Sequence, residues 1–282
     1  MNMSNNIITG ERIQEIADVY IGTEQNFQYN PRISIQYNKQ KKLSDFTDNM
    51  PYDNPRIVFC YGDSISQFNN IKHLLKNPFV FISHNSDLNM TDNSLVNEIL
   101  NCPNLIRWHS QNVDYKHEKL HLIPIGIANS MWPHGNLRMF DFFFHENKLM
   151  EKTQNIYMNF KIETNWKKRS ECYNSLCKKV EFLQTMPPFE NLYRLKQYKY
   201  CICPEGNGID THRLWEAYYL KIVPILLRSV HTEIIQKMGL PMVLLDSWDD
   251  FDEHSLPRYE SFDFSKGEQF LNINYYIETI RK

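Results

Sequence analysis

From Arg56 onward the chain alternates between two kinds of segment. Arg56–Tyr61, Pro78–Ser83, Leu105–Trp108 and Leu120–Ile125 are short, nearly unbroken runs of aliphatic and aromatic residues, each closed by a polar loop. Helix-length patches lie between them at Ser66–Lys76 and Ser94–Asn101. Strands buried on both faces read as continuous apolar runs, and strands separated by helices close into parallel sheets through crossovers. The alternation restarts after a charged break at Glu146–Gln154. Strands are predicted at Asn155–Phe160, Tyr200–Cys203, Val223–Leu227 and Met242–Leu245, and helices at Trp166–Val180, Thr211–Leu220 and His231–Met238.

Two such series predict an α/β chain of two doubly wound, Rossmann-like lobes whose parallel sheets face each other across a cleft. The first lobe is expected over residues 1–150 and the second over 151–265. Phe270, Ile273, Tyr276, Ile277 and Ile280 recur at helical spacing, so a last helix within 266–282 is expected to pack back on the first lobe. Upstream, Glu11–Tyr20 is predicted as a short helix and Arg32–Tyr37 as a short strand. Phe140, Phe142–Phe144, Tyr218 and Tyr219 read as core or lobe interface.

Composition narrows the function. A length of 282 residues fits two lobes, and a 42% hydrophobic content is enough to order them. The 31 basic residues are balanced by 33 acidic ones, so nothing resembles the basic excess that neutralises a nucleic-acid backbone. No run approaches the roughly 18 apolar residues of a membrane span, and the polar N-terminus lacks the pattern of a secretory signal. A soluble, cytoplasmic protein without a membrane anchor is the expectation. Cys60, Cys102, Cys172, Cys177, Cys201 and Cys203 form no C-x-x-C pair, which argues for reduced thiols and against zinc.

The chemistry concentrates in residues 200–217, where a strand runs into the loop Pro204–Asp210 and then a helix. Gly206 and Gly208 flank Asn207, residue types that tolerate positive φ and close backbone approach. Asp210 is expected to cap the helix. Such a bend aims backbone N–H groups and the positive end of a helix dipole at one point, which suits a diphosphate. Arg213, in the first helical turn, can add a charge-assisted bond to it. Glu216 follows on the same face one turn later and suits the two hydroxyls of a ribose. The competing reading of Arg213 and Glu216 is a surface i,i+3 ion pair worth roughly 0.2–0.5 kcal/mol.

The run Cys203-Pro-Glu-Gly-Asn-Gly-Ile-Asp-Thr-His-Arg-Leu-Trp-Glu-Ala217, followed by Ile222-Val-Pro-Ile225, resembles the donor-binding signature of exostosin-like glycosyltransferases (glycosyltransferase family 47 and relatives), most of all small virus-encoded members. Ile82–Asp87, Trp108–Val113 and Pro124–Gly135 are similar to that group's first lobe, so the resemblance spans about Pro55 to Phe251. It implies a GT-B fold, with a nucleotide sugar held by the second lobe and a glycan or glycoprotein acceptor mainly by the first. Lys221-Ile222 departs from the Gly-Cys usual in such motifs, which puts local packing and donor fit in question.

The resemblance and the strand-end positions together nominate residues. Glu205, Gly206, Asn207, Gly208, Asp210, Thr211, His212, Arg213 and Glu216 are the expected donor-binding set. Thr164, Asn165 and Arg169 are expected to grip the diphosphate from its other side, against a plain Thr/Asn helix cap with a solvated basic face. An inverting transfer needs a base for the acceptor hydroxyl. Asp63, His84, Asp87 and His134 each follow a predicted strand in the first lobe, and Asp87 is favoured. Its competitor reading is an Asx-turn carboxylate. Trp108 and Trp132 can stack on a sugar or fill the core.

No cofactor beyond the donor is expected. Asp250-Phe251-Asp252 has the Asp-x-Asp form of metal-dependent transferases but reads as acidic helix caps, so no metal is expected. The resemblance to pentose- and uronate-handling relatives favours a UDP-sugar, with UDP-xylose as the specific expectation. The alternatives are a non-catalytic glycan- or nucleotide-binding module, or another nucleotide-sugar enzyme such as an epimerase.

Overall fold

The computed structural model describes residues 3–21, 56–145 and 151–282. The chain divides into two compact units, one of Ile8–Ile125 with Ile273–Lys282 and the other of Met1–Ile7 with Gly126–Asn272. The chain passes between the units at residues 125/126 and again at 272/273. Among the described residues no helix is long and apolar enough to cross a membrane. The strand predicted at Arg32–Tyr37 lies outside the described residues, as does part of the charged break.

The first unit is built on a fully parallel sheet of β1 (Val19–Ile21), β2 (Ile57–Tyr61), β3 (Phe79–His84), β4 (Leu105–Ser110) and β5 (Leu120–Leu122), hydrogen-bonded in that order. Only α1 (Gly10–Gln14) of the helix predicted at Glu11–Tyr20 forms. Val19, Tyr20 and Ile21 instead pair with Val58, Phe59 and Cys60, since an apolar β-branched run gains more by joining a buried sheet than by extending a short helix. Helices α2 (Ile65–Ile71) and α3 (Ser94–Leu100) follow β2 and β3. Asn93 N-caps α3 through Val96 N at 3.0 Å.

Alternate strand residues point to opposite faces, and both faces are covered. On one, Tyr20, Phe59 and Ile82 pack with Ile8, Ile13 and Ile16 and with Ile273, Tyr276 and Ile280 of the last helix, α9 (Ile273–Arg281). On the other, Phe68 of α2 stacks on Phe81 at 3.8 Å, and Phe81 meets Trp108 at 5.3 Å.

The second unit repeats the plan with β6 (Gln154–Tyr157), β7 (Tyr198–Ile202), β8 (Val223–Leu227) and β9 (Val243–Leu245), parallel and again consecutive. Helix α5 (Trp166–Leu176) lays Cys172 and Leu176 against Met158, Tyr200, Ile202 and Ile225. Helices α7 (His212–Tyr219) and α8 (Val230–Lys237) fall close to their predicted spans. Two helices carry no sequence prediction: α4 (Arg138–His145), and α6 (Pro188–Leu195), which starts on a proline at its first position.

Neither sheet reverses its strand order among the described residues. That differs from the doubly wound order, in which ligands sit at the reversal. Polar residues gather instead in the loops at the strand carboxyl ends. All six cysteines are free. Asp250 closes a capping box with Ser247, and Asp252 caps the turn Glu253–Ser255, so both carboxylates serve as caps.

Candidate functional site

In the second unit, the carboxyl ends of β6 and β7 and the start of α7 bring together most of the predicted donor set. Arg213 is the hub. Its Nε donates to Glu216 Oε2 at 2.9 Å, its Nη1 to the Asn159 carbonyl at 3.1 Å, and its Nη2 points to Asn191 Oδ1 at 3.4 Å. The guanidinium also lies 5.3 Å from the Tyr157 ring centroid. The Tyr157 hydroxyl donates to Asn191 at 2.6 Å, and burial pushes that phenol up to about 12, so it stays a donor. Arg213 and Glu216 are an ion pair, but a sequestered one, with side chains 21% and 8% exposed. Burial is the largest single effect and opposes the guanidinium's charge, yet Glu216, with Cys201, Tyr157 and Cys203 behind it, together hold the group above its ordinary range. Glu216 is therefore turned toward Arg213 with at least one oxygen committed.

Arg169 approaches the same bend from α5. Its Nε donates to the Glu205 carbonyl at 2.9 Å and its Nη1 to the Lys161 carbonyl at 2.8 Å. Burial, then the neighbouring charge of Arg213, lowers its pKa. Asn165 does two jobs: it caps α5 through Lys168 N at 3.2 Å, and its Nδ2 donates to the Gly206 carbonyl at 2.6 Å. Thr164 sits exposed in the turn Ile162–Asn165 with no hydrogen-bonded role for its side chain among the described residues. Glu205 pairs with Lys168.

The bend itself departs from expectation in two ways. Neither Gly206 nor Gly208 has positive φ. A Cβ at 206 would lie 3.2 Å from Arg169 Nη2, a tight contact that the guanidinium would have to yield by a few tenths of an ångström to relieve. The Gly206 N–H is spent on the Gly208 carbonyl at 3.0 Å, while Asn207 is exposed. Asp210 is not the helix cap. Thr211 is the N-cap, and it makes no side-chain cap bond. Asp210 is buried, accepts the Trp215 indole N–H at 2.7 Å and lies 3.7 Å from His231 Nε2. It locks the bend to α7 from behind. Asp210→Ala, which strands a buried indole donor, is expected to cost about 2 kcal/mol in urea unfolding.

His134, expected in the first lobe, belongs to this unit. It lies 6.0 Å from His212 in ring centroids and 6.3 Å from Trp132. Burial and then His212 hold its imidazole below the ordinary value, with Arg213 and Lys161 acting in the same sense and Glu216 against it. His212 is anchored through Nδ1 to the Gly126 carbonyl at 2.8 Å. Trp132 is half exposed beside His134, whereas Trp108 is fully buried and donates to Ser83 Oγ at 2.8 Å. The supports Tyr157, Asn159 and Asn191, and the cation Lys161, escaped the sequence reading. Asn191 rides on α6, whose readable signal was Pro187-Pro188 ahead of Leu192 and Leu195.

The other unit holds the remaining candidates, at the carboxyl ends of β2 and β3. Asp63 accepts from Ser86 Oγ at 2.7 Å. Gly62 lets the two loops close, because a Cβ there would meet Ser86 Cβ at 2.6 Å. Asn85 and Asn112 take left-handed φ of 57° and 53°. The Asn112 amide donates to the Ser86 carbonyl at 2.9 Å, and Gln111 bonds the same carbonyl. His84 is fully buried with Nε2 on the Pro124 carbonyl at 3.0 Å and Nδ1 near Asn85 Oδ1 at 3.2 Å. Both ring nitrogens are thus engaged within this unit. Asp87 is exposed at the tip of this rigid turn and has no hydrogen-bond partner among the described residues.

Compared with known proteins, the chain matches no protein-family model and no curated protein.

Proposed function

We propose that the chain is a glycosyltransferase of the exostosin-like, GT-B type that moves a sugar from a UDP-sugar, with UDP-xylose the specific donor, to a glycan acceptor. One observation carries the reading: the cations Arg169 and Arg213 converge, with Lys161 and Lys168 close by, on the bend that starts α7. Glu216 balances Arg213 and Glu205 balances Lys168, which leaves Arg169 and Lys161 in excess. Two guanidiniums close enough to perturb one another favour an anion between or beside them. The uncapped first turn of α7 adds backbone N–H groups and its dipole.

In the proposed reaction an acceptor hydroxyl loses its proton to a carboxylate as its oxygen bonds the anomeric carbon. The bond from that carbon to the diphosphate breaks, and the diphosphate leaves with the electron pair. The second unit's cations stabilise that developing charge. Asp87 is the proposed base, because it is the candidate carboxylate that is exposed and without a partner among the described residues.

Thermal unfolding with a panel of nucleotide sugars tests the reading. A UDP-sugar at about 100 times its Kd adds roughly 2.7 kcal/mol of stability and raises the midpoint. No shift with any nucleotide sugar contradicts it. A second reading, a binding module without turnover, is favoured by the prior engagement of Arg213 with Glu216, Asn159 and Asn191. It predicts the same shift with no sugar released when an acceptor is supplied.

A further inference from the structure

At the opposite end of the first sheet from Asp87, the residues that begin β2, β3 and β4 and the last turn of α9 enclose a pocket of about 240 Å³. Four cationic residues line it: Arg56, Arg107, Arg281 and Lys282. Asp18 is the one side-chain carboxylate among the lining residues, and it is occupied. Its Oδ2 accepts the backbone N–H groups of Arg56 and Ile57 at 3.0 and 2.9 Å. None of the four cationic side chains has an ion-pair partner among the described residues. The Nε of Arg107 is closed off from solvent and has no hydrogen-bond partner among the described residues. Buried Val80, Ile57 and Ile280 supply an apolar floor.

In the other unit Arg213 is answered by the Glu216 carboxylate and Arg169 by the Glu205 carbonyl. Among the described residues the four cationic side chains at this pocket have no such acceptor. Like charges gathered without an anionic partner repel one another, and a guanidinium N–H closed off from solvent without an acceptor is costly. An oxyanion answers the gathered charge, because it accepts several charge-assisted bonds at once. The volume falls below the roughly 300–1,000 Å³ of sites for drug-sized ligands. That sets the occupant as a phosphate-sized group, with room for a small organic body on the apolar floor.

We propose that this pocket is a binding site for a compact phosphate-class oxyanion, free or as a small monoester. It is independent of the donor site proposed above, which lies in the other unit and takes a larger ligand.

Calorimetric titration of the full chain with inorganic phosphate, and separately with glycerol 3-phosphate, tests the site. Binding of either probe is expected, and the tighter one identifies the free or esterified form. Arg107→Gln is expected to weaken it about tenfold or more. Arg281→Gln, at an exposed helix end where folding is not at stake, is expected to weaken it in the same direction. Arg169→Gln, in the other unit, removes only phosphate held at the donor bend and is expected to leave the Arg281-dependent binding in place. The proposal is overturned if neither probe binds, if Arg281→Gln and a folded Arg107→Gln bind as the parent does, or if binding is lost in Arg169→Gln alone.

Discussion

Replacing Arg213 with Met is expected to cost about 3 kcal/mol of folding stability and to abolish UDP binding. The stability loss comes from what is left behind. Glu216 would remain 8% exposed at its side chain with its charge uncompensated, and the Asn159 carbonyl would lose its donor. A buried charge deprived of its partner is far more costly than the pair was favourable. The double variant Arg213→Met, Glu216→Leu separates the two effects. It removes both charges and fills the space with apolar atoms, so the urea midpoint is expected to return close to the parent value. UDP binding is expected to stay lost, because the anion has lost its guanidinium. A double variant that binds UDP normally would show Arg213 to be a structural residue and nothing more.

Asp87→Asn is expected to behave in the opposite way. The carboxylate is exposed and makes no hydrogen bond among the described residues, so its loss should shift stability by no more than about 0.5 kcal/mol. Sugar transfer should fall by about 100- to 10,000-fold, the range for loss of a general base. UDP binding should be unchanged, since the donor-side residues lie in the other unit. Neighbouring Asp63 offers the contrast. Its carboxylate is tied to Ser86 Oγ, so Asp63→Asn is a change to the loop first and to chemistry only through it. Full transfer activity in Asp87→Asn would remove that residue from the mechanism.

Much of the sheet framework was legible because buried parallel strands leave an unmistakable apolar imprint. Val223–Leu227 is observed over its predicted span, and the others differ by a few residues at their ends. What escaped lacked a local signal. Val19–Ile21 is too short to announce a strand, and it becomes one only because β2 offers an edge. The consecutive order of both sheets is a long-range property that periodicity does not encode. Within the site, residue types were readable but their partners were not. The same spacing of Arg213 and Glu216 fits a solvated pair or a sequestered one, and tertiary neighbours such as Tyr157 and Asn191 decide between them. His84 and His134 both follow strands in sequence. One ends up walled into a core and the other beside His212, a difference set by Pro124 and by the unit boundary at Gly126.

Whether the bend at 204–213 receives a diphosphate is decided by a crystal structure of the full chain grown with UDP. The two phosphates are expected at the first turn of α7, within hydrogen-bond reach of Arg169 or Arg213. UDP lodged elsewhere, for instance against Arg107, or a bend left empty at saturating nucleotide, would contradict that expectation.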